Sequence, residues 1–413
     1  MSTRPSPIEI VVVGAGMAAQ RFVTRLLASA SARVRVTVIG DENRPPYDRT
    51  RLRELFLGAA AGDLQLPCPA FEDDRVTVIL DDRVLRIDRR ARSVRTRSRR
   101  VYSYDVLVLA TGAYSARVAV EGAALPGCFS YRTIADVKDL RRFVRARSDG
   151  LGRSLRGVVV GGGPLGLEAA GALQTMGIAA TVVQYAERLM DAQLDVTAGS
   201  IVKRHLQARG IAVRTATRVT RIDPDESGAV TAIEFQDGSF QRVDVVVFTV
   251  GMRARDELAR NADIEVDPRG GVVIDEGCRT SDAAVLAIGD VACFEGRRAG
   301  RTGAAYDMAE VAAERLLGGT RSFTGSDESA AATVAGVEVA SFGDALTRTP
   351  DAVDVLYADP VAGVYRKLVL AEDAHTLLGG ILVGDASAYG ALRTLVGARL
   401  EDDPASYVLP VRG

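Results

Sequence analysis

Ile8–Val13 runs into Gly14-Ala15-Gly16-Met17-Ala18-Ala19, and Gly157–Val160 runs into Gly161-Gly162-Gly163-Pro164-Leu165-Gly166. Each is an apolar strand, a glycine-rich turn and an alanine-rich helical pattern, and each is followed by a second apolar strand. In such a turn the first glycine permits the tight reversal, and the second lets backbone approach a pyrophosphate at a helix N-terminus. The last position is small in both copies, Ala19 and Gly166, so the helix can pack on the strand. One such turn is a weak signal. Two of them, 147 residues apart at positions 14 and 161, imply two dinucleotides held face to face, most simply a flavin and a nicotinamide.

The surrounding sequence extends this pattern. Val34–Ile39 alternates and ends at Gly40-Asp41-Glu42, so Asp41 falls about 20 or more residues beyond the glycines, where a carboxylate can accept from a ribose hydroxyl, with a strand-end acid capping a turn as the alternative. Tyr104–Gly112 is a buried strand closing in a small-residue turn, and Asp244–Gly251 repeats it after the second fingerprint. The chain therefore leaves a first nucleotide fold, builds a second and returns. The return is Val285–Asp290, a buried strand whose closing carboxylate can reach a ribityl hydroxyl. Ala304–Leu317 then reads as an amphipathic helix whose positive N-terminal end suits an electron-rich flavin edge. Past Gly318 the pattern changes to a polar linker, a hairpin of Val364–Leu370 with Leu377–Val383, and a short helix at Tyr389–Val396. The expected organisation is α/β: a discontinuous FAD-binding domain (1–115 and 250–320), an NAD(P)-binding domain (116–249) and a small α+β C-terminal domain (321–413). The last would serve as interface and flavin lid, which allows a homodimer.

Composition narrows the function. With 413 residues, 47% hydrophobic and 25% charged, this is an ordinary enzyme composition with room for two or three domains. A net charge of −1 argues against nucleic acid or an anionic membrane as the main partner. No run approaches the length of a membrane span, and Met1–Pro7 lacks a secretory layout. Arg83–Arg100 is very basic but alternates with Val84, Leu85, Ile87 and Val94. It reads as the solvated face of a half-buried hairpin, with a docking site for an acidic protein as the alternative. Cys68, Cys128, Cys278 and Cys293 form no CxxC or CxxxxC pair, so neither a metal knuckle nor a flavin-adjacent dithiol is expected. They read as structural thiols of a reducing cytoplasm. His205 sits in an Arg-rich helix and His375 in a hairpin turn, and neither looks like a general base.

The motifs resemble the two-dinucleotide-binding flavoprotein reductases, the group of glutathione reductase and the ferredoxin and rubredoxin reductases. Within that group they are similar to the N-terminal FAD portion of the bacterial NAD(P)H nitrite reductase large subunit. The segments that carry the resemblance include Pro46-Tyr47-Asp48-Arg49, Cys128–Ile134, Gly161–Leu173, Gly251–Asp256, Tyr306-Asp307-Met308-Ala309 and Leu377–Tyr389. It runs from about residue 8 to about residue 410. It implies two glutathione-reductase-type Rossmann folds plus the small C-terminal domain. It also implies flavin contacts at Gly14, Gly16, Asp41, Arg49, Val84, Thr111, Gly112, Arg132, Asp290 and Ala304. Nicotinamide contacts are implied at Gly161, Gly163, Gly166, Glu168 and Gly251, with Glu168 ordering the nicotinamide. An acid in the first helical turn, favoured by the dipole, is the plainer reading of Glu168.

Departures from the family pattern refine this. A lysine common in ferredoxin reductases is Glu54 here, which weakens that label. The strand Thr181–Val183 ends at Gln184 where an NADH-specific pattern has an acid. Gln184 can still meet a ribose hydroxyl without repelling a 2′-phosphate, and Arg188 lies nearby, so NADH and NADPH both fit. No ligand set for a [2Fe–2S] or siroheme centre follows, so the chain is not expected to reduce nitrite by itself. The expectation is an FAD-dependent NAD(P)H oxidoreductase feeding an iron–sulfur or reductase partner. The alternatives are a flavoenzyme acting directly on a nitrogen-containing or quinone-like small molecule, or a flavin-bound assembly subunit.

Overall fold

The computed structural model describes residues 6–29, 33–116, 118–149, 153–298, 300–325, 327 and 329–409. The chain forms two compact units, Met1–Arg51 with Ala59–Tyr114 and Met252–Ser326, and Leu52–Gly58 with Ser115–Gly251 and Asp327–Gly413.

In the first unit a five-stranded sheet is ordered Val285–Ala287, Val106–Leu109, Ile8–Val13, Val34–Ile39, Val76–Ile79. Every neighbouring pair is parallel. Strands of a parallel sheet are covered on both faces and so read as continuous apolar runs, as Ile10–Val13 and Leu107–Leu109 do here. The helix Met17–Leu27 buries Ala19, Phe22, Val23, Leu26 and Leu27, the spacing of one face of a 3.6-residue helix. The helix Thr302–Leu316 packs beside it and buries Ala304, Ala305, Met308, Ala309, Val311, Ala312 and Ala313, mostly small residues that allow close approach. Arg21 pairs with Glu310 between these two helices. A three-stranded antiparallel sheet, Val84–Asp88, Ser93–Thr96 and Val101–Ser103, completes the unit.

The second unit repeats the plan. Its parallel sheet is ordered Ala212–Arg214, Ala179–Val183, Arg156–Val160, Val245–Phe248, Cys128–Ser130, with a meander of Val219–Pro224, Val230–Phe235 and Phe240–Arg242. The duplication reaches single hydrogen bonds. Gly14 N donates to Ile39 O and Gly161 N to Val183 O, both at 2.8 Å. Leu52–Gly58 joins this unit through Arg141, which donates to Leu55 O at 2.8 Å, and through Phe56, whose ring lies 5.9 Å from that of Tyr131.

The same unit holds the antiparallel sheet Ala330–Val334, Val337–Gly343, Leu377–Val383, Val364–Leu370, Val353–Asp359. One polar cluster ties that sheet to the nucleotide fold. Asp195 caps the helix Val196–Ala208 through Ala198 N at 2.9 Å, and its other oxygen accepts from Tyr365 Oη at 2.7 Å. Lys367, 3% exposed, lies between Asp195 at 3.4 Å and Asp354 at 3.3 Å and donates to Thr347 Oγ1 at 3.0 Å. A buried cation is tolerated because two carboxylates and a hydroxyl replace its water. Asp195→Ala removes a helix cap and leaves buried donors unmet, so it is expected to lower unfolding free energy by about 2–4 kcal/mol. Asp195→Asn, which keeps the cap, should lose clearly less. Equal urea midpoints for wild type and Asp195→Ala would refute the role of the cluster.

Candidate functional site

In the first unit the chain turns at Gly14 with φ +119°, and a Cβ there would sit 2.1 Å from Ala110 O. Glycine is therefore required for the strand Val106–Leu109 to run so close. Gly16 caps the following helix with no side-chain hydrogen bond, no acid lies in the first turn, and the space beyond its Cα is open. The helix Thr302–Leu316, which carries Ala304 in its first turn, also starts without a side-chain cap or a first-turn acid. By contrast, Thr133 and Asp195 cap their helices with their own side chains. Uncapped N-terminal amides with a positive end dipole suit a pyrophosphate or another anion.

The charged groups around this turn form two chains. Glu42 accepts from Tyr47 Oη at 3.0 Å and from Arg49 at 2.5 Å, and the Arg49 guanidinium lies 4.9 Å from the Tyr47 ring. Burial works against the charge of Arg49, but Tyr47, Glu42 and Asp290 outweigh it and raise its pKa. Arg49 thus links the strand-end acid of one segment with Asp290, in the short turn after Val285–Ala287. The second chain centres on Arg255. Its Nη1 lies 3.4 Å from Asp41, its backbone O accepts from Thr111 Oγ1 at 2.8 Å, and its backbone N donates to Gly112 O at 2.9 Å. Its Nε is buried without a hydrogen-bond partner among the described residues. Glu42 and Arg255 were not singled out from sequence. The signal for Glu42 is the adjacent Tyr47-Asp48-Arg49. Arg255 has only its place in Gly251–Asp256. Val84 is in the apolar core at 3% exposure, so only its backbone is available to a ligand. Arg132 lies in the other unit, where its N donates to Asp136 at 3.0 Å.

In the second unit Gly161 has φ +115° and a Cβ there would lie 2.7 Å from Thr249 O. A Cβ on Gly166 would lie 1.9 Å from Gly161 O, so this glycine brings the helix down onto the turn. Gly163 caps that helix without a side-chain bond, with open space beyond it. Gly251, φ +105°, is exposed with open space beside it. The structure turns Gln184 inward. At 4% exposure its Oε1 accepts from Gly162 N at 3.0 Å and its Nε2 donates to Asp191 at 2.8 Å. Arg188 donates to Leu194 O at 2.7 Å and Asp191 O at 3.0 Å. Both side chains brace the loop, and the exposed group beside them is Tyr185, with the Arg218 guanidinium 5.5 Å over its ring.

Glu168 stands on the helix Pro164–Thr175, half-buried, and burial raises its pKa while Arg53 opposes the rise. Beside it Tyr131 is 1% exposed, its hydroxyl has no partner among the described residues, and burial together with the Glu168 charge pushes its pKa far up. All four cysteines are free thiols, and burial pushes Cys128 and Cys278 up to about 12, far from thiolate character. His205 faces Gly363 O at 2.9 Å and His375 faces Asp373 O at 3.0 Å, each engaged locally. Among the described residues no group of His, Cys, Asp and Glu is placed to hold a metal, and no helix is long and apolar enough to cross a membrane.

Residues 8–313 match the family model described as pyridine nucleotide-disulphide oxidoreductase. The nitrite reductase (NADH) large subunit of Escherichia coli is 38% identical over 409 residues, covering 98% of this chain and 48% of that protein. The rubredoxin-NAD(+) reductase of Pseudomonas putida is 31% identical over 286 residues, covering 68% of this chain and 71% of that protein. The ferredoxin reductase for the CYP199A2 system from Rhodopseudomonas palustris superposes with TM-score 0.84 at 26% identity, covering 97% of this chain and 98% of that one. The chain spans about half the length of the nitrite reductase subunit it matches.

Glu168 supplies a pH test. A raised pKa means the folded chain holds that proton more tightly than the unfolded one. Stability should therefore fall as pH rises from the unfolded carboxylate value, about 4.3, through the raised folded value. Glu168→Gln should match wild type below that window and exceed it above. Parallel urea-midpoint curves for the two proteins from pH 4 to pH 8 would show that Glu168 ionises freely.

Proposed function

Because the chain belongs to the pyridine nucleotide-disulphide oxidoreductase family, we propose that it is an FAD-dependent NAD(P)H oxidoreductase that delivers electrons to a separate acceptor protein. The observation that carries this reading is the pair of glycine turns, each ending in an uncapped helix N-terminus with open space before it. We assign FAD to the fold of residues 1–115 and 250–320 and the nicotinamide nucleotide to that of residues 116–249, with 321–413 as an interface and lid domain. The buried, unpartnered Nε of Arg255 and the anion-ready turn at Gly16 fit a polyanionic cofactor in the first fold. The bound cofactors supply hydride transfer from nicotinamide to flavin and electron transfer onward.

The chain's own residues bind and orient. Gly14 and Gly16 bring backbone amides to the pyrophosphate, joined at the other end by Ala304 in the first turn of its helix. Asp41 and Asp290 accept from the ribose and ribityl hydroxyls. Arg49, held between Glu42 and Asp290, fixes the second carboxylate. The backbone at Val84, Thr111 and Gly112 and the side chain of Arg132 complete the flavin contacts. Gly161, Gly163 and Gly166 present the second set of amides, and Gln184 and Arg188 keep that loop in shape. Gly251 leaves room for the nicotinamide, and Glu168 positions it from a site where burial favours the protonated form. A relative named rubredoxin-NAD(+) reductase and another named assimilatory nitrate reductase electron transfer subunit support a protein acceptor.

The test is anaerobic stopped-flow reduction by NADH, then reoxidation by an iron–sulfur carrier and by small quinones. Reoxidation by small molecules alone, or no reoxidation, would overturn the acceptor assignment. Asp290→Ala should lose bound flavin by about 1.5–3 kcal/mol, the range of a hydrogen bond to a charged group. A variant that keeps full flavin occupancy and unchanged affinity would remove Asp290 from the site. With Gln184 at the strand end in place of an acid, NADPH should be used alongside NADH. Arg218→Glu should then lower kcat/KM for NADPH relative to NADH by about 1 kcal/mol, a factor of roughly five. An unmoved ratio would take Tyr185 and Arg218 out of nucleotide recognition.

A further inference from the structure

The antiparallel sheet Val84–Asp88, Ser93–Thr96, Val101–Ser103 carries an arrangement that its free state does not favour. Arg86 pairs directly across from Arg95, and Arg95 across from Val101, in one row over the sheet. Like charges opposite one another on adjacent strands repel. The register shift between Val84 and Arg86 puts Leu85 and Arg86 both on the outside, where strict alternation would have hidden one of them. Among the described residues no carboxylate pairs with Arg86, Arg95, Arg99 or Arg100. The acid nearest in register, Asp88, accepts from Ala91 N at 2.9 Å in the hairpin turn. Three neighbouring arginines are engaged: Arg83 with Tyr114 Oη, Arg89 with Asp282 and Arg97 with Asp81. The exposed face thus has Leu85 and Val101, each 54% exposed, beside the unpaired guanidinium groups of Arg86 and Arg95.

We infer that this face docks an acidic protein, the electron-accepting partner of the flavin; the inference rests on the proposed transfer to a protein acceptor. Arginine forks match carboxylates in pairs, and unpaired Arg86 and Arg95 can each take one from a partner. Exposed apolar side chains on the edge strands beside guanidinium groups give the mixed apolar and charged surface of a protein–protein interface. A chain of net charge −1 with so short a basic row, without a lysine or a stacking aromatic on it, fits a nucleic-acid strand poorly. Docking removes the Arg86–Arg95 repulsion by inserting negative charge, so the register itself favours an anionic occupant.

The test compares wild type with Arg86→Glu/Arg95→Glu, and with Arg86→Gln/Arg95→Gln as a variant of similar shape, using a plant-type [2Fe–2S] ferredoxin as the acidic probe. For the glutamate pair the expected result is a KM for ferredoxin raised at least fivefold, little change in kcat and a flatter dependence on salt. NADH-to-ferricyanide activity should stay unchanged. For the glutamine pair the thermal midpoint should hold or rise, because the cross-strand repulsion is relieved, whereas a merely structural role would lower it. An unchanged KM overturns the inference. If wild type reduces ferricyanide but not ferredoxin, the acceptor reading fails for this carrier, and equilibrium binding of oxidised ferredoxin at low salt then decides the surface. Binding that is absent or equal in wild type and variant overturns it. Tighter binding of duplex DNA or phosphatidylserine vesicles than of ferredoxin also overturns it.

Discussion

A steric constraint at two carbonyl oxygens governs both nucleotide folds. Gly14 passes within a Cβ's distance of Ala110 O, and Gly166 within a Cβ's distance of Gly161 O, with clearances of 2.1 Å and 1.9 Å for the missing atom. These contacts let a helix begin directly above a strand end, so that its free amides point outward and no local side chain closes them. A larger residue at either place would push the helix away and remove the anion site along with the packing. The parallel sheets follow from the same geometry, since a helix returning over its strand needs the next strand alongside.

Around that framework charge is organised by long-range pairing. Arg255 brings Asp41, Thr111 and Gly112 into one hydrogen-bonded chain, although Asp41 is 214 positions away. Arg49 joins Glu42 to Asp290 in the same way. Each arginine holds an acid at the end of a different strand, which fixes the carboxylates before any ligand arrives. Pre-fixed partners reduce the ordering cost of binding. The second fold is braced within one loop. Gln184 accepts from the Gly162 amide and donates to Asp191, and Arg188 donates to loop carbonyls, so the loop keeps its shape through short-range bonds.

Electrostatics also separates the parts of the chain that bind from those that only fold. Lys367 is buried yet ringed by Asp195, Asp354 and Thr347, a closed cluster with no capacity left for a ligand. Arg86 and Arg95 are exposed and face each other unpaired, an open cluster. Among the described residues Tyr131, Arg147, Arg255 and Arg366 each retain a buried polar atom without a partner, Tyr131 beside Glu168 and Arg255 beside Asp41. Satisfied clusters stabilise, whereas unsatisfied ones mark where something else is to be accommodated.

The glycine turns, the apolar strands and the spacing of Ala19, Phe22, Val23, Leu26 and Leu27 were legible in the sequence, because each follows from sterics or periodicity within a few residues. So were the returning strand at Val285 and the hairpin of Val364–Leu370 with Leu377–Val383, whose pairing the register matches. Side-chain partners were not legible. Gln184 reads as a ribose contact from its place at a strand end, but the adjacent turn supplies a buried amide, Gly162 N, that claims it. Arg83–Arg100 reads as a solvated hairpin. Only the bulge after Val84 decides that Arg86 stands opposite Arg95, since a shift of one residue reverses which side chains face out. The sequence determined the two nucleotide folds through local backbone geometry. Which charges are paired and which stay open depends on segments up to 289 positions apart meeting in space, and tertiary structure alone decided that.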